Sequence, residues 1–485
     1  MIQSLRLDRR QVAPALAALA ACAFVGALAG VRAPIAPLIG VAVALAGLSL
    51  AWRRGVLVLL VVLPFSGVPV FMAGESGLAV RDVAIVLPVY AGFALWMTSR
   101  RETVLPRVGV ALPALALFAV LVVAHVAGAP SLLVGAIGAK VWLAYLPMLA
   151  VGYHFVRKAG DFDRAMKLTA LIGLVPAAIA LAEWFIAARY PQAGVWSNNF
   201  GPFRHLYGSW YAQVQANGLA LPVGSHTFVV PRVPSTFTSS TQFYLFGMVA
   251  YAAGLSKALR TGDWRWGACA AVLALGAIAS GQRQAYLAVP ALAVASVVLG
   301  APDRARLIKM LLAGAAVVAV LFASASSPLR VVSVLPAHVR EAAGTGGGEL
   351  RGALATGAVG HGTGWDTQAA LRYGGSASKR YVENWYGKAS LELGVAGLAA
   401  IAIALASLQW RLLAGLRRMD GASRRAAAPL CALLALMTAT LFKGPVLDLD
   451  PMNVYFWLLT GMLLAYIACA RRDGDGARAE AAVPA

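Results

Sequence analysis

The chain has 485 residues, 60% of them hydrophobic and only 13% charged. That is too little charge to coat a soluble protein of this length, and the same numbers exclude a disordered or collagen-like chain. The net charge of +21 would suggest nucleic acid on a soluble protein. Here, however, the basic residues cluster between apolar runs, the positive-inside pattern of a polytopic membrane protein facing anionic lipid.

Taken in chain order, the apolar runs predict an all-α membrane protein, one integral domain over 1–485 with about 14 transmembrane helices. These lie near 12–31, 35–51, 55–72, 83–98, 109–128, 131–153, 168–188, 235–256, 266–280, 284–301, 310–326, 385–409, 427–443 and 454–470. Arg6, Arg9 and Arg10 before the first run imitate a secretory signal, but the many later spans make it an uncleaved first helix.

Lys and Arg placement sets the expected orientation. With both termini cytoplasmic, the inner connections hold Arg53/Arg54, Arg100/Arg101/Arg107 and Arg157/Lys158/Arg164/Lys167. They also hold Lys257/Arg260/Arg265, Arg304/Arg306/Lys309, Arg411/Arg417/Arg418/Arg424/Arg425 and Arg471/Arg472/Arg478. Most of the 41 basic residues therefore fall on one side. Two long hydrophilic loops, 189–234 and 327–384, face the other side.

No P-loop, dinucleotide-binding glycine turn or HExxH occurs, so chemistry driven by a nucleotide inside the cell is not expected. No metal or other cofactor is expected either. His205, His226, His338 and His361 are too scattered for a metal site. Cys22, Cys269, Cys431 and Cys469 all lie in apolar runs and read as small hydrophobes.

Chemistry is expected at the outer ends of the spans. Arg283, in Ser280-Gly281-Gln282-Arg283, sits in a tight outward turn, where a guanidinium either snorkels to the interface or grips phosphate with its planar fork. Arg232, in Pro231-Arg232-Val233-Pro234, precedes a hydroxyl-rich helix start at Thr238–Thr241. It reads either as part of a rigid junction or as a second arginine facing the same cavity. The run Gly344–Gly364 reads as flexible loop, with a phosphate-cradling nest as the alternative.

Glu383, beside Tyr381, Trp385 and Tyr386, is expected at the outer surface. Aromatic neighbours there would lower the local dielectric and suit it to general-base work, the alternative being a carboxylate at a helix start. Lys388 and Glu392 are spaced to pair on one helix face. Glu183 and Lys140 are intramembrane charges and so functional candidates by default. Loop aromatics Trp196, Phe203, Tyr207, Trp210, Tyr211 and Trp365 either stack on sugar rings or form an interfacial belt.

Three of these motifs resemble the O-antigen ligase/Wzy-type polymerase family of bacterial envelope glycosyltransferases. Ser280-Gly281-Gln282-Arg283 is similar to that family's Ser-Arg turn. Gly360-His361-Gly362-Thr363-Gly364 is similar to its GxGxG in the large periplasmic loop. Glu383-Asn384-Trp385-Tyr386, followed by Glu392-Leu393-Gly394 and Gly397-Leu398, is similar to its His-Asn-x-Tyr…Glu-x-Gly…Gly-Leu helix start.

The resemblance implies a lipid-dependent glycosyltransferase architecture of the GT-C-like type in the bacterial inner membrane, with its active site facing the periplasm. The donor would be an undecaprenyl-pyrophosphate-linked glycan and the acceptor a second glycan. Membrane lipid and a chain-length regulator would be partners, and nucleic acid would not. Catalysis would be metal-independent and would invert the anomeric carbon, with Glu383 as base. Arg283 and Arg232 would hold pyrophosphate, with Arg340, Arg351 or Arg372 from the large loop. His361, Asn384, Tyr386 and Trp210 would line the substrate. Ligases of the family carry histidine where this chain has Glu383, which favours the polymerase branch over the ligase. A polysaccharide flippase is the expectation from another class.

Overall fold

The computed structural model describes residues 45–68, 81–100, 108–189, 219–223, 226–230, 232–300, 340, 343–355, 359–365 and 382–481. The spans expected at 12–31 and 310–326, most of 35–51, and the site candidates Trp210 and Arg372 lie outside the described residues.

The described chain is helical. Helix α1 is Trp52–Val62, α2 is Asp82–Arg100, α3 is Ala111–Ala124, α4 is Leu132–Leu143, α5 is Met148–Phe155 and α6 is Ala159–Arg189. An antiparallel hairpin follows, β1 Leu219–Val223 paired with β2 His226–Val230, and it is the one departure from the expected all-α class among the described residues. Then come α7 Ser240–Thr261, α8 Trp264–Ala279, α9 Arg283–Gly300, α10 at 343–355, α11 Trp385–Leu416, α12 Gly421–Thr440 and α13 Met452–Ala481. Among the described residues, seven segments are long and apolar enough to cross a membrane: Asp82–Arg100, Ala111–Gly128, Leu132–Phe155, Ala159–Phe185, Arg283–Gly300, Trp385–Leu416 and Met452–Arg472. The protein is thus a polytopic membrane protein, since such segments satisfy their own backbone hydrogen bonds in lipid.

Helix starts follow local sequence chemistry. The side chains of Ser131, Ser239, Asp263, Asn384 and Asp420 each accept a backbone N–H from the first turn of α4, α7, α8, α11 and α12. The most enclosed span is Met452–Arg472, 83% buried against 22–56% for the other six, so α13 forms the centre of the bundle. Its contact with α5 depends on missing side chains. A Cβ at Gly152 would lie 2.1 Å from the Leu458 carbonyl oxygen, and one at Gly461 would lie 2.1 Å from that of Leu149. Such close backbone approach is how helices associate without a hydrophobic driving force between them.

One end of the bundle collects basic residues predicted to share a side. Arg53 pairs with Asp161 at 3.1 Å, and Asp163 takes Lys257 at 2.6 Å and Arg260 at 2.7 Å. The Arg424 Nε donates to the Leu299 carbonyl at 2.6 Å. These contacts tie the start of α6 to the end of α7 and the end of α9 to the start of α12. Both pairs therefore run antiparallel, and their opposite ends meet at the other pole of the bundle.

Candidate functional site

That other pole carries the site. The Val233 N–H donates to the Ser280 carbonyl at 3.1 Å, and Gln282 Nε2 donates to Ser240 Oγ at 2.7 Å. These bonds fasten the 232–237 loop to the Ser280–Arg283 turn, whose Gly281 has φ 70°. Arg232 and Arg283 are thereby set close together, both half-buried. Burial, and then the neighbouring Arg283 charge, pull the Arg232 guanidinium below its ordinary pKa. The Arg232 Nε is enclosed and has no hydrogen-bond partner among the described residues. The hydroxyl cap expected for this junction is present at Ser239.

The glycine-rich segment has a different job from the nest expected as its alternative. Helix α11 breaks at Gly394, where φ is 71° and ψ is −175°. A break of this kind strands carbonyls of the preceding turn. The His361 N–H donates to the Leu391 carbonyl at 2.9 Å and the Gly362 N–H to that of Glu392 at 3.0 Å. Thr363 N–H donates to the His125 carbonyl at 3.0 Å, and its hydroxyl to Gly135 at 3.1 Å. The amides of His361, Gly362 and Thr363 are thereby consumed in tying α11 to the end of α3, while the Thr363 hydroxyl holds α4. Gly360, Gly362 and Gly364 all have positive φ (81°, 112° and 86°), and a Cβ at Gly362 would meet the Gly128 carbonyl carbon at 2.3 Å. Nor is the run Gly344–Gly364 a loop throughout, because 343–355 is the helix α10.

Beside this clamp lies a chain of charges that sequence reasoning missed. Buried Arg81 bonds to Asp450, to Asp82 and, at 2.9 Å, to the Tyr145 hydroxyl. Tyr145 bonds to both Asp82 oxygens at 3.0 Å, and Lys140 reaches Asp82 at 2.8 Å. Two residues before Asp450, Asp448 takes buried Lys388 Nζ at 2.5 Å and Trp385 Nε1 at 3.0 Å. The Lys388 ammonium also lies 4.7 Å from the Trp142 ring centroid, and Trp142 Nε1 donates to Glu392 at 2.6 Å. The ion-pair partner expected for Lys388 was Glu392 one turn along. The structure also gives it Asp448, from the α12–α13 connection. The readable signal was Asp448-Leu449-Asp450 between two apolar runs, in a chain with only 20 acidic residues.

The remaining candidates are placed as follows. Glu383 is not in a low-dielectric setting: its side chain is 51% exposed and bonds to Lys443 at 2.6 Å. Asn384 is fully buried. Its Oδ1 caps α11 through the Gly387 N–H at 3.0 Å, and its Nδ2 donates to the Gly346 carbonyl in α10 at 2.8 Å. The Tyr386 hydroxyl donates to the Thr438 carbonyl at 3.0 Å. His361 is exposed, with its ring 5.6 Å from that of Trp365. Arg340 and Arg351 are exposed, the latter on α10.

Gly300 lies against Ala428 and Arg425, and α9 packs along α12. At about 1.5 Å per residue, Arg283 at the start of α9 therefore stands at roughly the height of Lys443. The arginine pair, Glu383 and the charged chain share one pole. Among the described residues no group of three or more His, Cys, Asp or Glu is arranged to hold a metal ion. No family model matches the chain, and no curated protein matches it in sequence.

Proposed function

We propose that this protein is a bacterial inner-membrane polysaccharide polymerase of the Wzy type, joining undecaprenyl-pyrophosphate-linked repeat units at the periplasmic face. The observation that carries the reading is the arginine pair. Two guanidiniums from distant segments are fixed side by side by the Val233–Ser280 and Gln282–Ser240 bonds, and the Arg232 Nε is enclosed without a hydrogen-bond partner among the described residues. Like charges brought together in a partly desolvated place favour a dianionic ligand, and guanidinium forks match phosphate oxygens.

In this reading Arg232 and Arg283 hold the donor pyrophosphate. The acceptor hydroxyl attacks the anomeric carbon, the bond from that carbon to the phosphate oxygen breaks, and the leaving pyrophosphate carries away the electron pair beside the two arginines. Glu383, at the same pole and open to the outside, takes the hydroxyl proton. The motif resemblance to the O-antigen ligase and polymerase family supports this assignment, and the lack of histidine at 383 favours the polymerase over a ligase that uses lipid A core.

A second reading, a polysaccharide flippase, is favoured by one specific observation. A discontinuous helix at Gly394 beside the buried charges Lys388, Glu392 and Arg81 is a construction typical of transporters. The two readings separate in vitro. Purified protein in nanodiscs, given only lipid-linked repeat units, lengthens the glycan if it is a polymerase and leaves its length unchanged if it is a flippase.

A further inference from the structure

Glu183 is a buried carboxylate in the outer half of α6, only 4% exposed, and the mechanism above does not use it. Its Oε2 accepts the backbone N–H of Ser235 at 3.0 Å, and it has no basic partner among the described residues. Ser235 is the one non-glycine residue with positive φ, at 54°, among the described residues. This left-handed conformation costs energy for a residue with a Cβ and persists only where the surroundings enforce it.

The enforcement is visible on both sides of the chain. The Ser235 hydroxyl donates to the Pro176 carbonyl of α6 at 2.7 Å, the Thr236 hydroxyl donates to Pro64 at 2.5 Å, and the Thr236 carbonyl accepts the Gly67 N–H at 3.0 Å. Glu183 supplies the acceptor that turns the Ser235 N–H inward. That turn lies three residues after Arg232, directly beyond the Val233–Ser280 bond that sets Arg232 next to Arg283.

We infer that Glu183 is a positioning residue for the donor site: by accepting the Ser235 N–H it holds the 232–237 loop in the strained turn that presents Arg232 beside Arg283. The inference rests on the arginine pair being the pyrophosphate clamp. What Glu183 contributes is a hydrogen-bond acceptor at one place, and a neutral amide oxygen serves equally.

The test uses full-length protein in nanodiscs, with undecaprenyl pyrophosphate as the binding probe and hydrogen exchange of the 232–238 segment as a readout independent of ligand. Glu183→Leu keeps the volume but removes the acceptor. It is expected to speed exchange of the Ser235 amide by roughly tenfold or more, and to weaken probe binding by about tenfold, as a misplaced binding group does. Glu183→Gln keeps an acceptor oxygen and is expected to retain both slow exchange and binding, which a general loss of packing would not restore selectively. Arg232→Ala is expected to weaken binding while leaving Ser235 exchange slow.

Each alternative outcome is decisive. Unchanged Ser235 exchange in Glu183→Leu overturns the positioning role, as does a Gln variant as impaired as the Leu variant. Weak binding in Arg232→Ala combined with normal binding in Glu183→Leu overturns the inference and leaves the clamp standing. Normal binding in Arg232→Ala removes the clamp itself and the positioning role with it. If Glu183→Leu does not accumulate in the membrane, Ser235→Gly provides the second variant. It keeps the N–H and relieves the positive φ, so it is expected to bind the probe normally both alone and combined with Glu183→Gln; loss of binding in the combined variant shows that charge, not an acceptor, is required and overturns the inference.

Discussion

Replacing Lys388 by methionine tests whether the charged chain at the pole opposite the basic cluster holds the bundle together. Lys388 is 2% exposed, its Nζ lies 2.5 Å from Asp448 Oδ2, and Asp448 is 19% exposed. Removing one member of a buried pair costs about 3–5 kcal/mol, because the remaining charge is left in a poor solvent. Asp448 keeps the Trp385 Nε1 bond and some exposure, which places this term at the lower end, about 3 kcal/mol. Loss of the ammonium over the Trp142 ring adds roughly 0.5–1 kcal/mol. Lys388→Met is thus expected to destabilise by about 3–4 kcal/mol, read as a clear fall in thermal midpoint by tryptophan fluorescence in nanodiscs. The double variant Lys388→Met/Asp448→Asn removes the stranded charge and should recover at least half of the loss. A single variant as stable as the parent, or a double variant whose losses simply add, refutes the pairing as an energetic unit.

Reporter fusions after Trp52, Arg101, Lys158, Arg260, Arg304 and Arg418 should report cytoplasm and those within 195–225 and 340–375 periplasm; a cytoplasmic signal from either long loop overturns outer-face chemistry. Arg283→Ala should abolish polymer formation at normal membrane abundance, since a charge-assisted phosphate contact is worth on the order of 1.5–3 kcal/mol, and Arg283→Lys should rescue poorly for lack of the bidentate fork. Near-normal chain length in the Ala variant would make Arg283 an interfacial snorkelling residue. Glu383→Gln should slow turnover by roughly 10²-fold or more while preserving donor binding; wild-type turnover would leave Glu383 as merely the partner of Lys443 at the start of α11.

Much of the helical framework was legible because apolar run length and hydroxyl or acidic caps are local. Ser239 and Asn384 stand where their side chains meet the first turn of their helices. The convergence of Arg232 on Arg283 was readable only as a possibility at a loop–helix junction, because it depends on backbone bonds between segments far apart in sequence. The break at Gly394 was hidden inside an apolar run. What marks it is a pair of stranded carbonyls, and their partners come from the Gly360–Gly364 segment. The longer run Gly344–Gly364 read as flexible loop with a phosphate nest as the alternative, because positive-φ glycines serve a clamp and a nest alike and only the direction of the N–H groups separates them. Asp448 and Lys388 are separated by 60 residues. The i,i+4 spacing of Lys388 and Glu392 was the stronger local signal, and it gave no hint of Asp448. Glu383 was expected against aromatic rings, but Trp385 and Tyr386 turn inward to Asp448 and Thr438 and leave it facing out.

The most direct test of the polymerase assignment is a strain deleted for this chain whose envelope glycans are separated on a gel. The account predicts a single repeat unit attached to lipid A core, restored to a ladder by the wild-type chain and not by Arg283→Ala. Long chains retained on the lipid carrier would contradict it in favour of a ligase, and the absence of any surface repeat would contradict it in favour of a flippase.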